Sequence, residues 1–94
     1  MERNFYVLAY DIVEDKRRQK IAKLCEAVAE RVQDSVFEGY LTPEELQKLD
    51  KKVKRIFKKE EDSLRIYRLC SACHDKIQMH GAGKVTPPPG VRIV

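Results

Sequence analysis

At 94 residues and 43% apolar composition the chain suits one compact two-layer domain, and no run approaches the roughly 18 apolar residues of a membrane span. Lysine and arginine outnumber the acids 19 to 15, a net charge of +4 that favours polyanionic partners without demanding them. Three cysteines, an odd number, argue against a disulfide framework; Met1-Glu2-Arg3-Asn4 leads directly into apolar residues with no signal-peptide pattern, so a cytoplasmic location is expected.

Phe5-Tyr6-Val7-Leu8-Ala9-Tyr10-Asp11-Ile12 is a near-continuous apolar run, which predicts a strand covered on both faces and central in its sheet. Asp15 is placed to cap a helix over about 16–30, whose apolar positions Ile21, Leu24, Cys25 and Val28 form one face and leave Lys16, Arg17, Arg18, Lys20 and Lys23 along the other. Residues 31–41 are β-branched and aromatic, too long for one typical strand, and fold most simply as a tight hairpin. Thr42-Pro43-Glu44-Glu45 then reads as a capping box, with proline at the first helical position, opening a helix that carries Leu46, Leu49, Val53, Ile56 and Phe57 at helical spacing. Its other side is basic, through Lys48, Lys51, Lys52, Lys54, Arg55, Lys58 and Lys59, and Glu60-Glu61-Asp62 closes the charge run. Ser63 to Leu69 alternates as a half-buried strand.

Strand, helix, hairpin, helix, strand closes as a ferredoxin-like βαββαβ sandwich of the α+β class, with both helices on one sheet face. The other face needs a cover, and a second copy supplies one, which predicts a homodimer. Residues 1–80 are the expected domain and residues 81–94 an arm, in which Gly81, Gly83 and Gly90 bracket Pro87-Pro88-Pro89 before Val91 to Val94. Those last four residues are too few to form a strand alone and are expected to add to a sheet edge of the partner subunit.

An aspartate ending a buried central strand needs a cation, a cap or a paired donor, so Asp11 is the leading metal candidate. Mg²⁺ takes one or two protein carboxylates and keeps several waters, so one Asp11 from each of two subunits is enough. Arg17 or Arg18, opening the first helix, and Arg31, opening the hairpin, are placed to reach phosphates near that metal, with Lys16 and Lys20 beside them. Phe37 either stacks on a base or belongs to the core, and Tyr10 alternates to the far side of its strand, where packing is the simple reading. Ser35 has no histidine nearby in sequence to activate it, and His74 and His80 fall after the last strand. Cys70-Ser71-Ala72-Cys73-His74 matches the haem-attachment pattern, but without an export signal haem is not expected; the remaining readings are a tight loop with free thiols, or a zinc or redox pair.

Tyr10-Asp11-Ile12, Asp15-Lys16-Arg17-Arg18 and Arg31-Val32-Gln33-Asp34-Ser35-Val36-Phe37-Glu38-Gly39, in this order, resemble the signature of the second core CRISPR-associated protein, the Cas-two family. The likeness extends through the second helix, the strand from Asp62 to Leu69 and the Gly-rich tail. It implies a ferredoxin-like homodimer whose terminal strands pack across the dimer, working with a dimeric CRISPR integrase partner in spacer acquisition. Several members are described as metal-dependent endonucleases on RNA or DNA. The resemblance makes Asp11 the metal-binding aspartate and puts Tyr10, Arg18, Arg31, Ser35 and Phe37 where nuclease-associated residues stand. Lys20 occupies a position that is often arginine, and Asp34 one where a tyrosine or a basic residue is common. Three functions compete: Mg²⁺-dependent endonuclease cleavage of single-stranded RNA or double-stranded DNA, an architectural clamp on duplex DNA, and a toxin-like messenger-RNA ribonuclease of the same fold.

Overall fold

The apolar run at the start of the chain forms β1 (Asn4–Asp11), which pairs antiparallel on both sides, as a strand apolar on both faces should. The computed structural model describes residues 2–83 and 85–87. In chain order α1 (Asp15–Glu26), β2 (Glu30–Gln33), β3 (Val36–Leu41), α2 (Pro43–Ile56), β4 (Ser63–Leu69) and the short α3 (Ser71–His74) follow. The sheet order is β2-β3-β1-β4, so the fold is the expected ferredoxin-like α+β sandwich, with β1 and β3 inside and β2 and β4 at the edges.

Alternation along β1 sends Tyr6, Leu8 and Tyr10 toward the helices, where they join Ile12, Ile21, Cys25, Phe37, Leu41, Leu49 and Val53 in the core. The α2 cap forms as its sequence dictates: the Thr42 hydroxyl accepts from the Glu45 amide at 3.2 Å and the Glu45 carboxylate accepts from the Thr42 amide at 2.8 Å. Leu49 and Val53 are buried, and the lysines of α2 stand exposed.

Two expectations for α1 are corrected. Asp15 is the first helical residue and not the cap; Glu14 holds the N-cap position without a side-chain cap bond, and the Asp15 carboxylate is paired with Arg18. The helix also ends at Glu26 instead of reaching residue 30, because the chain at Ala29 lies against β3: a side chain at Gly39 would meet the Ala29 Cα at 3.2 Å. A side chain at position 39 would have to push Ala29 back by a few tenths of an ångström, so glycine suits this close approach.

The hairpin turn is Asp34-Ser35, with Gln33 opposite Val36. Two-residue hairpin turns normally use positive φ, yet no non-glycine residue among those described has one; the register instead shifts between Arg31 and Gln33. β4 is more exposed than a half-buried strand: Ile66 and Tyr67 are 36% and 49% exposed, as an edge position allows.

The sheet face away from the helices carries Phe5, Val7, Ala9 and Asp11 of β1 with Ser63, Arg65, Tyr67 and Leu69 opposite on β4. Among the described residues, the later part of the chain covers a portion of it. His74 packs edge-on against Phe5 and Tyr40 at 4.5 and 5.6 Å between ring centroids, and the Thr86 amide donates to Glu38 Oε2 at 2.8 Å. Cys70 and Cys73, expected in a tight loop with free thiols, are free thiols, but on a helical turn: Cys70 is the N-cap of α3 and Cys73 lies within it. The predicted terminal strand Val91 to Val94 lies outside the described residues. Among the described residues no helix is long and apolar enough to cross a membrane.

Candidate nucleic-acid and metal site

One end of the sheet gathers the candidate residues. There β1 ends, the β2–β3 turn crosses beside it, α1 begins and β4 starts. The Tyr10 amide donates to Ser35 O at 3.0 Å and the Tyr10 hydroxyl to Asp34 O at 3.2 Å, which fixes the hairpin turn beside the end of β1. Tyr10 and Phe37 stack with centroids 6.1 Å apart, and the Arg31 guanidinium lies over the Phe37 ring at 5.2 Å while bonding Glu26 at 3.0 Å. Burial raises the Tyr10 phenol above its ordinary pKa, with Arg31 opposing, so Tyr10 is a neutral hydrogen-bond donor at neutral pH.

Phe37 is fully buried and Tyr10 is 5% exposed, so of the two readings for Phe37 the core is the observed one, and Tyr10 packs as its alternation implied. Ser35 is half-buried in the turn, and its carbonyl is the group in use.

Asp11 departs from its expected setting. The apolar run places it at the end of a buried strand, but its side chain stands exposed on the open sheet face opposite Ser63. Period-two alternation accounts for this, because Tyr10 and Ile12 take the buried side and Asp11 the other. Burial therefore does not compel a cation here. Among the described residues no three His, Cys, Asp or Glu side chains cluster as a metal site.

The loop after Asp11 is held by the last residue of the Glu60-Glu61-Asp62 run. Asp62, whose side chain is wholly buried, accepts from the Val13 amide at 3.0 Å, the Lys58 amide at 2.9 Å and Arg17 Nε at 2.9 Å. The Arg17 bond, followed by the amides of Lys58 and Val13, holds its carboxyl far below the usual carboxylate range against the opposing effect of burial. Arg17 also meets Glu61 at 2.9 Å and Glu14 at 3.7 Å, and the Asp62 bond raises its own pKa. Arg17, taken as a phosphate ligand, is thus a structural clamp with its donors engaged. Arg18 folds back in the same way: Nε and one terminal nitrogen donate to Ile12 O and Val13 O at 3.1 and 3.2 Å, and the other terminal nitrogen pairs with Asp15. Lys16 and Lys20 are exposed and, among the described residues, without an ion pair.

The candidates are therefore brought to one end but divided between faces. Tyr10 and Phe37 form an internal stack with the exposed Arg31 guanidinium over the Phe37 ring, Arg17 and Arg18 brace the β1–α1 loop, and Asp11, Lys16 and Lys20 are presented to solvent.

Comparison with known proteins agrees with this architecture. Residues 4–77 match the family described as CRISPR associated protein Cas2. The chain is 49% identical over 86 residues to a CRISPR-associated endoribonuclease Cas2 of Chloroflexus aurantiacus, covering 90% of this chain and 89% of that one. It is 44% identical over 89 residues to another of that name from Synechocystis sp., covering 95% and 97%. It superposes on a chain of a partial Cas6-RT-Cas1–Cas2 complex with TM-score 0.77 and 27% identity, covering 97% of this chain and 99% of that one. The family match over most of the domain and the identity carried by these relatives lead to one assignment: the chain belongs to the CRISPR associated protein Cas2 family.

Proposed function

We propose that this protein acts in CRISPR spacer acquisition as a homodimer that holds duplex DNA beside an integrase partner. The observation that carries this reading is the division of the candidate residues. The side chains associated with cleavage are mostly turned inward or bonded within the protein, while lysines line the exposed sides of α1 and α2. Such faces grip phosphates without reading bases, so binding is salt-dependent and nearly sequence-blind. The Cas1–Cas2 complex that contains a similar chain supports the integrase partner, and the open sheet face with exposed Tyr67 supports a second copy.

Cleavage is a second reading, favoured by the position of Asp11 on the open face and by the endoribonuclease names of the relatives. A divalent cation of the Mg²⁺ type fits only as a shared ligand, held by Asp11 of two copies with water completing its shell. When bound, it would lower the pKa of a water poised to attack a phosphodiester. The chain's own part is positional: Asp62 and Arg18 fix the loop that follows Asp11, and Arg31 is the candidate cation nearest the stacked Tyr10–Phe37 pair.

The deciding experiment titrates Mg²⁺ against cleavage of single-stranded RNA and duplex DNA for wild type and Asp11→Ala, with duplex binding measured on the same preparations. Duplex binding that survives the substitution, and weakens steeply with salt in both proteins, is expected for the clamp. Cleavage lost in Asp11→Ala establishes the metal reading, and cleavage that persists in it removes that reading. Failure of the wild type to bind duplex DNA, alone and with the integrase present, would refute the architectural role.

A further inference from the structure

The functional reading leaves Cys70-Ser71-Ala72-Cys73 without a task. Cys70 is the N-cap of α3, in extended conformation at φ −72° and ψ 168°, and the His74 amide donates to Cys70 O at 2.9 Å, closing the turn over both cysteines. Residues three apart on a helical turn have Cα atoms about 5 Å apart from helix geometry, inside the range that a disulfide spans. Both thiols are free and exposed. A cleft of about 70 Å³, with Arg3, Asn4 and Leu69 in its wall, opens beside Cys70 and leaves an incoming sulfur room to approach.

We propose that Cys70 and Cys73 form a thiol–disulfide exchange site whose oxidant is a low-molecular-weight disulfide of the glutathione class. The Cys70 thiolate attacks one sulfur of the small disulfide, whose S–S bond breaks; one small thiolate leaves and is protonated. The Cys73 thiol then gives up its proton and attacks the Cys70 sulfur of the mixed disulfide, releasing the second small thiolate, which is protonated in turn. Two protein thiols are oxidised to one disulfide, and one small disulfide is reduced to two thiols. Excess small thiol reverses both steps.

The surroundings separate the two roles. The Cys73 amide, the Cys73 thiol and the Ala72 amide lower the Cys70 pKa, whereas the bond to Cys70 raises that of Cys73. Cys70 is thus the attacking sulfur and Cys73 the resolving one. Cys25, the third cysteine, is sealed in the core, where burial pushes its thiol up to about 11, and it takes no part. The pair also stands beside a structural joint. His74 follows Cys73 directly, packs on Phe5 and Tyr40, and holds Thr86 O through Nε2 at 3.1 Å.

The test equilibrates the full-length protein in glutathione buffers of graded oxidation at pH 7, quenches in acid, denatures, and counts free thiols by mass-tag labelling. Wild type is expected to pass from three tags to one without a two-tag species building up, the remaining tag mapping to Cys25. Cys73→Ser is expected to stop at a glutathione adduct on Cys70, and Cys70→Ser to reach its adduct on Cys73 more slowly. Each unit of lowered pKa multiplies the thiolate fraction about tenfold and cuts nucleophilicity about threefold, a net gain of about threefold in rate. Cys73→Ser is accordingly expected to form its adduct faster than Cys70→Ser. Three tags retained by wild type in the most oxidising buffer, oxidation only between chains, or equal rates in the two serine variants would each overturn the proposal.

Discussion

Substitution of Phe37 separates packing from chemistry at this site. The ring has no exposed surface, sits opposite Leu8 in the sheet, and is bounded by Tyr10 at 6.1 Å and the Arg31 guanidinium at 5.2 Å. Phe37→Ala removes a buried ring and leaves a cavity that neighbours fill only in part, a loss of about 3–5 kcal/mol. At about 4–8 °C of melting temperature per kcal/mol for a domain of this size, the variant melts about 12 °C or more below wild type. Circular dichroism melts at equal protomer concentration measure this, since self-association shifts apparent stability. Phe37→Leu nearly conserves volume, loses less than about 1.5 kcal/mol, and is expected to retain both duplex binding and any cleavage. An alanine variant that melts within a few degrees of wild type, or a well-folded leucine variant that loses nucleic-acid binding, would refute the assignment of Phe37 to the core.

Thr42→Ala breaks the reciprocal cap at the start of α2 and should lower stability by about 1 kcal/mol, read from denaturant midpoints at unchanged slope. Asp62→Asn should be less stable than wild type at neutral pH. Because the folded Asp62 pKa lies below its ordinary value, its stabilisation is present above about pH 4 and fades as pH falls toward the folded value, so the two proteins converge in acid. A stability gap that stays constant from pH 7 to pH 2 would contradict this. Replacing Lys16 and Lys20 with glutamine should weaken duplex binding on all sequences alike and reduce the slope of log affinity against log salt by about 0.9 per lysine, which filter binding over a salt series measures.

What could be read from the sequence was mostly local. The central position of β1 followed from its apolar run, and α2 from four consecutive residues whose bonds lie within one turn. The end of α1 was not legible, since nothing near Ala27 breaks a helix; only the fold shows Ala29 lying close against Gly39 of another strand. Asp11 was placed at the right point along the chain but assigned the wrong solvent exposure, because a continuous apolar run conceals the alternation that turns one residue outward. Asp62 was missed as an organiser because its partners Val13 and Arg17 are 49 and 45 residues away, and its only local sign is the bond from the Lys58 amide. Arginines next to a candidate metal residue read naturally as phosphate ligands; only the fold reveals that Arg17 and Arg18 already have acceptors.

The bond from Thr86 to Glu38 makes β3 a lever between the two faces of the sheet. Glu38 and Phe37 are consecutive residues of one strand, so the carboxylate that anchors the later chain on the open side is one peptide from the ring that underlies Tyr10 and Arg31 on the helical side. Whatever loosens Thr86 from Glu38 therefore acts on the strand that carries the Phe37 ring, one peptide away and with no loop between.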